Sequence, residues 1–165
     1  MFLAREVMTE TFHTLKPDMS IPEAALAFRT ASKKQNRRIF GMLVVSSDGG
    51  LLGMLSMYDL LLMIRPKHVH LWGVMDDIEM RGLLDNVCQQ TKSVLVKDIM
   101  TTDVITITPD TPVMLVLDLM IKKHIRRVPV VEGDKIRGIV YISDLFYRIV
   151  DKLADQSTGE NICNF

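Results

Sequence analysis

Two kinds of hydrophobic patterning recur along the chain, and each recurs twice. The apolar runs Gly41–Val45 and Val128–Val131 are continuous, which predicts short strands buried on both faces. Turn-forming residues follow each run, Ser46-Ser-Asp-Gly-Gly50 in one case and Glu132-Gly-Asp134 in the other, so each opens a hairpin. The returning strands, Leu51–Leu55 and Ile136–Tyr141, lead directly into helices beginning near Asp59 and Asp144. Ahead of each hairpin a short extended piece, Thr11–Leu15 or Val104–Ile107, reaches a Pro-Asp pair, a turn and helix-start signal. Helically periodic apolar positions then predict helices over Ile21–Ala31 and Pro112–His124. The stretch 65–94 is partly amphipathic and predicts one or two linker helices, and the tail beyond Asp155 is polar and expected to fray.

The two halves are copies of each other. Setting Arg5-Glu-Val-Met-Thr9 over Lys97-Asp-Ile-Met-Thr101 places Thr14 on Thr106 and Pro17-Asp18 on Pro109-Asp110, all at a spacing of 92. The spacing falls to 86 at Val44-Val45 over Val130-Val131, and to 85 at Gly53 over Gly138 and Asp59 over Asp144. The first copy therefore carries six extra residues between Phe28 and Val44 and one between Val45 and Gly53. Insertions belong in loops, and the polar Ser32-Lys-Lys-Gln-Asn-Arg-Arg38 is the natural place for the first. Each copy reads β-α-β-β-α, an α+β unit of a size that makes a poor core alone, so two copies should pack together. The expected organisation is repeat 1 over residues 1–64, a helical linker over 65–94, repeat 2 over 95–152 and a polar tail over 153–165.

Composition narrows the function classes. The 165 residues are 48% hydrophobic and 24% charged, which fits a folded chain. Formal net charge is zero, against a general nucleic-acid binder, although Lys33-Lys34, Arg37-Arg38 and Lys122–Arg127 are local basic runs. Cys88 and Cys163 form neither a zinc spacing nor a disulfide framework, so a reducing cytoplasm is the default. The apolar run Leu51–Ile64 contains Ser56, Tyr58 and Asp59 and is too short to span a bilayer. Arg5 and Glu6 stand where a secretory signal would need apolar residues. His68-Val-His70, with Asp76, Asp77 or Cys88 nearby, lacks further spaced ligands and reads as linker surface, not metal site. Trp72 and Met75 read as packing or a dimer contact, and no nucleophile-base constellation points to an enzyme.

The repeated Val7-Met-Thr9 and Ile99-Met-Thr101, the Pro-Asp pairs, Val128-Pro-Val-Val131 and the two Gly-x-x-[Ser/Tyr]-x-x-Asp segments resemble the CBS-domain family, and two copies in one chain resemble a Bateman module. The resemblance implies a regulatory module with two clefts between its repeats that bind AMP, ADP or ATP, less often S-adenosylmethionine. It also implies a homodimer and a separate effector protein. Carried over, it assigns Asp59 and Asp144 to ribose hydroxyls, Ser56 to ribose or phosphate, Thr9 and Thr101 to the base, and Arg126 and Arg127 to phosphates. Gly53 and Gly138 would allow close approach of the backbone.

The chemistry of these residues fits such roles, and it fits simpler ones too. A carboxylate accepts from two adjacent hydroxyls, as a ribose diol offers, and arginine forks suit phosphate oxygens. Ser56-x-x-Asp59 is equally a helix-capping signal, and capping can coexist with binding. Thr9 and Thr101 also suit caps or turns, and Arg126-Arg127 after Lys122-Lys-His124 also suits a solvated face. The second copy departs from the pattern because Tyr141 fills the Ser56 slot; its ring would occupy ribose or phosphate space or stack on a base. The first copy departs at Phe40-Gly41, where the second has Arg126-Arg127. The cleft of Ser56 and Asp59, completed by Thr101 and the arginines of the second repeat, is therefore expected to be the better nucleotide site. The competing reading is a structural homodimerisation module with degenerate clefts.

Overall fold

The computed structural model describes residues 2–65 and 80–157. The first part of the linker, with His68, His70, Trp72, Met75, Asp76 and Asp77, lies outside the described residues. So does the end of the tail with Cys163. The fold is α+β, and it divides into two compact units whose boundaries do not follow the repeats. One unit is His13–Val104; the other joins Met1–Phe12 to Ile105–Phe165.

In the first unit, β1 (Thr14–Leu15), α1 (Ile21–Lys34), β2 (Gly41–Val45), β3 (Leu51–Ser56) and α2 (Met57–Ile64) follow in order. After the linker come α3 (Met80–Gln90), a 3₁₀ turn at Thr91–Ser93 and α4 (Val96–Ile99). β1 pairs parallel with β2, which pairs antiparallel with β3 across the predicted hairpin. Every residue of β2 is buried, as its unbroken apolar run requires. Ile21, Ala24 and Ala31 form the buried stripe of α1 and pack with Leu15, Met42, Val44 and Leu55. Val96 completes this core from the start of the second repeat.

The second unit contains α5 (Val113–Lys122), β4 (Arg127–Glu132), β5 (Lys135–Tyr141) and α6 (Ile142–Ser157). β4 and β5 form the second hairpin. The expected strand over Val104–Ile107 reduces to a single parallel bridge, Ile107 to Val130, the counterpart of the Leu15–Val44 pairing. Ala4 and Val7, from the very start of the first repeat, are buried with Val116, Met120, Val128, Val130, Val140 and Leu145.

Each unit thus takes its opening segment from the other repeat, and the two exchanges match bond for bond. Ala4 and Arg5 donate their backbone N–H groups to Thr111 and Pro109 at 2.8 and 3.0 Å. Val96 and Lys97, 92 residues on, donate to Met19 and Pro17 at 2.8 and 3.0 Å. Arg5 pairs with Asp110 at 2.8 Å, and Lys97 pairs with Asp18 at 2.8 Å. The Pro-Asp turns therefore receive the partner repeat's cation. The Asp18 hydrogen bond, then its charge, raises the Lys97 pKa above the ordinary lysine value. Both pairs are largely exposed and act as register marks more than as sources of stability.

The six-residue insertion is not confined to a loop. α1 runs to Lys34 and is 14 residues long, against 10 in α5, so four of the extra residues add a helical turn. Both helices close on the same Schellman turn. Asn36 (φ 48°) and His124 (φ 53°) take the left-handed position, tolerated here without glycine. Arg37 N–H reaches Ser32 O at 3.2 Å, and Ile125 N–H reaches Met120 O at 3.0 Å.

α1 begins with a reciprocal cap: Ser20 Oγ accepts from Glu23 N–H at 3.4 Å, while Glu23 Oε2 accepts from Ser20 N–H and Oγ–H at 2.7 Å each. The Ser20 hydroxyl, then its amide, holds the Glu23 carboxyl below the ordinary carboxylate value. A carboxylate depressed on folding contributes stability above its unfolded pKa and loses it as pH falls through the folded value. Ser20→Ala should therefore return Glu23 toward the ordinary pKa, read as a rightward shift of its carbonyl NMR titration.

Candidate functional site

In the first unit the end of β3 and the start of α2 carry Ser56 and Asp59. Ser56 is the N-cap residue of α2. Its Oγ accepts from Asp59 N–H at 3.3 Å, and its own N–H and Oγ–H donate to Asp59 Oδ2 at 2.7 Å each. The capping reading of Ser56-x-x-Asp59 is thus realised. It consumes one carboxylate oxygen; Oδ1 makes no hydrogen bond among the described residues. Asp59 is half-buried and retains acceptor capacity for a ligand hydroxyl.

Thr101 is brought to the same strand. Thr101 and Met54 exchange backbone hydrogen bonds of 2.9 Å in each direction. Met54 and Ser56 are two residues apart on β3 and share a face. Thr101 is exposed and its hydroxyl is not engaged among the described residues. Gly53 is what admits this segment: a Cβ there would stand 2.6 Å from Thr101 O and 2.9 Å from Met100 Sδ. The close backbone approach expected at this glycine is made by the chain itself.

The second unit repeats the arrangement with Thr9, Gly138, Tyr141 and Asp144. Thr9 and Ile139 exchange backbone bonds of 2.8 and 3.0 Å. A Cβ on Gly138 would lie 2.8 Å from Thr9 O and 3.1 Å from Met8 Cγ. Here the functional groups are turned on one another. Thr9 Oγ1 donates to Asp144 Oδ2 at 3.4 Å, and Ser143 Oγ donates to Asp144 Oδ1 at 3.3 Å. Tyr141, half-buried and opposite Arg127 in the β4–β5 ladder, replaces the short hydroxyl of Ser56. Arg126 is exposed and Arg127 half-buried. Both belong to the unit of Thr9 and Asp144, whereas Gly53, Ser56, Asp59 and Thr101 belong to the other.

The residues that the sequence reading missed are Met8 and Met100, whose side chains pack against the glycines, 3.1 and 2.9 Å from where a Cβ on Gly138 and Gly53 would stand. Their signal was present in the paired Met-Thr motifs, but nothing in the pairing says which glycine receives which methionine. Among the described residues no group of three or more His, Cys, Asp or Glu side chains stands together, and no helix is long and apolar enough to cross a membrane.

Two exchanged Met-Thr segments, each set against a Gly-x-x-x-x-x-Asp strand-to-helix corner, define a tandem-repeat α+β module. A match to the CBS domain covers residues 4–66 and 96–151, and the chain belongs to the CBS-domain family. It is similar in fold to CBSX2 from Arabidopsis thaliana, with 20% identity over 93% of this chain and 97% of that one and a TM-score of 0.72. CBSX2 in complex with AMP gives 21% identity over 93% and 99% and a TM-score of 0.66. The CBS domain pair of protein MJ0100, in complex with 5′-methylthioadenosine and S-adenosyl-L-methionine, is 26% identical over 91% of this chain and 97% of that one, with a TM-score of 0.63. A 73-residue stretch, 44% of this chain, is 36% identical to an uncharacterized 33.4 kDa protein in a ribosomal RNA operon of Thermofilum pendens and spans 23% of that protein.

Proposed function

We propose that this chain is a cytoplasmic regulatory module, not an enzyme, that binds an adenosine-containing ligand at the Ser56–Asp59–Thr101 constellation and presents its ligand state to a separate protein. The observation that carries this reading is the asymmetry between the two carboxylates. Asp59 spends one oxygen on the helix cap and keeps Oδ1 open, with an unengaged Thr101 hydroxyl held at the same strand. Asp144 is instead bonded through both oxygens to Thr9 and Ser143. A ribose diol needs an open carboxylate oxygen, so the first constellation is the better receptor. The complexes of CBSX2 with AMP and of MJ0100 with 5′-methylthioadenosine and S-adenosyl-L-methionine support the ligand class.

A ligand that binds only the folded state raises the melting temperature with concentration. At about 100-fold above Kd the gain is about 2.7 kcal/mol, which corresponds to roughly 5 °C or more for a chain of this size. Thermal unfolding with AMP, ADP, ATP, S-adenosylmethionine and 5′-methylthioadenosine should show such a shift for at least one. Asp59→Asn keeps a capping acceptor but loses the charge, and should abolish the shift while leaving the unliganded melting temperature within a few degrees. No shift at millimolar concentrations of any of the five, or an undiminished shift in the variant, would sink the assignment.

The second reading, a homodimer built on structural contacts, is favoured at α6. There Phe146, Tyr147, Ile149 and Leu153 are exposed on one helix, with Phe146 and Tyr147 edge to face at 5.3 Å. We include it as an assembly role beside ligand binding: a second copy would remove this apolar surface from water.

A further inference from the structure

From Ala24 to Ser47 the chain contains no Asp or Glu and five basic residues, in a protein whose formal net charge is zero. The structure gathers most of that charge. Arg29, Ser32, Lys33 and Asn36 fall at helical spacing along the end of α1 and its Schellman turn. With Arg37 and Arg38 they line an open cleft of about 400 Å³, within the usual size range of small-ligand sites. No acidic side chain lines it. Arg29, Lys33 and Arg38 make no ion pair among the described residues. Ser32 Oγ is fixed by accepting from Ile39 N–H at 3.1 Å, which leaves its proton to donate.

Lysines in a last helical turn ordinarily do no more than complement the helix dipole. That dipole amounts to about half a negative charge, against the three cations Arg29, Lys33 and Arg38, so the cleft keeps a positive excess. The other repeat provides an internal comparison. Its Schellman turn has the same backbone bonds, but its closing residues are Met120 and Ile125, which pack into the core. In the first repeat those two positions are Ser32 and Arg37, and the helix before them is one turn longer. At the places of Arg29, Ser32, Lys33 and Arg37 the second repeat has Leu117, Met120, Ile121 and Ile125, although Lys122, Lys123, His124 and Arg126 keep its helix end basic.

We infer that this cleft is a second ligand site, separate from Asp59, for a compact polyphosphate. Arginine forks and the Lys33 ammonium on one open surface without a carboxylate suit adjacent phosphoryl groups, each able to take two or more charge-assisted hydrogen bonds. The small extent of this basic lining, six residues at one helix end, favours a small polyanion over an extended nucleic-acid backbone, whose contacts would need a longer basic stripe.

The test is titration of the ¹⁵N-labelled full chain with inorganic triphosphate at low ionic strength. Saturable, one-to-one shifts are expected at the amides of residues 29–38. 5′-Methylthioadenosine, which has no phosphate, should leave those amides unmoved. Arg29→Gln combined with Arg38→Gln alters only exposed side chains, so an unchanged amide spectrum will confirm folding, and affinity should fall about tenfold or more. The inference is overturned if the double variant binds as tightly, if the shifts fall elsewhere, or if only a 20-nucleotide single strand binds and triphosphate does not displace it.

Discussion

Gly53→Ala is expected to destabilise the first unit by about 3 kcal/mol, at the upper end of what overpacking a close contact costs. The added methyl would meet Thr101 O at 2.6 Å and Met100 Sδ at 2.9 Å. The methionine can move, but the carbonyl cannot, because Thr101 and Met54 hold each other through two backbone bonds of 2.9 Å. Relief requires parting α4 from β3, which would uncover Val96. Gly138→Ala should act in the same way on the other unit, where Thr9 O stands 2.8 Å from the new atom. Gly82→Ala is the control: it lies in α3 with nothing within 4 Å of the added methyl, and should be neutral or stabilising by up to about 1 kcal/mol. Urea unfolding of the three variants checks the ranking. Equal midpoints for Gly53→Ala and Gly82→Ala would show that the docking of Met100-Thr101 on β3 is wrong.

Deleting residues 1–9 should be more damaging still, and damaging in the unexpected place. The deletion removes Ala4 and Val7 from the core of the second unit, together with the backbone bonds to Thr111 and Pro109 and the bond from Val113 to Phe2 O. It also removes the Phe2 ring over which Arg148 lies at 5.5 Å and the Glu6 carbonyl that Arg148 bonds at 3.2 Å. Burying a valine contributes about 2 kcal/mol and each backbone bond about 1 kcal/mol, so the total loss is roughly 5 kcal/mol or more. That is comparable with the whole stability of a small domain. Hydrogen exchange locates the effect. Protection should collapse in β4, β5 and α6, residues 127–157, and persist better in β2 and β3, residues 41–56. The reverse pattern would mean that the first nine residues belong with their own repeat.

That second outcome is what a reader of the sequence would expect, and the reason is instructive. The hairpins were legible because glycine-rich and Gly-Asp turns separate unbroken apolar runs, and β2 occupies Gly41–Val45 as the pattern predicts. The Ser56–Asp59 cap was legible because three-residue spacing puts a carboxylate in reach of the cap amide. The exchange of opening segments was not legible in the pattern itself; only the family resemblance, which set Thr101 with Ser56 and Asp59, implied half of it. Both Met-Thr motifs match both glycine strands equally well, so periodicity leaves two pairings open. Only the core that Ala4, Val7 and Val96 enter decides between them. The end of α1 was misjudged because Lys33, Lys34, Gln35 and Asn36 read as loop by polarity. The backbone nonetheless continues to Lys34 and closes on Asn36, one of the few side chains that accept the left-handed position.

For the candidate site, residue types were legible and their engagement was not. Asp59 and Asp144 look alike in sequence, and so do Thr9 and Thr101. The 3.4 Å bond that ties Thr9 to Asp144 has no sequence signature, nor does the absence of its counterpart between Thr101 and Asp59.

Because each repeat contributes its opening segment to the unit built around the other, neither repeat carries everything its own core needs. A gene for one repeat would encode a protein with an empty slot beside its glycine strand and an opening segment with nowhere to dock. Two such fragments, expressed together, would hold between them the backbone bonds that Ala4, Arg5, Val96 and Lys97 make to the other repeat. Duplication of an ancestral half that first assembled with its own twin would leave this kind of mutual dependence as its trace.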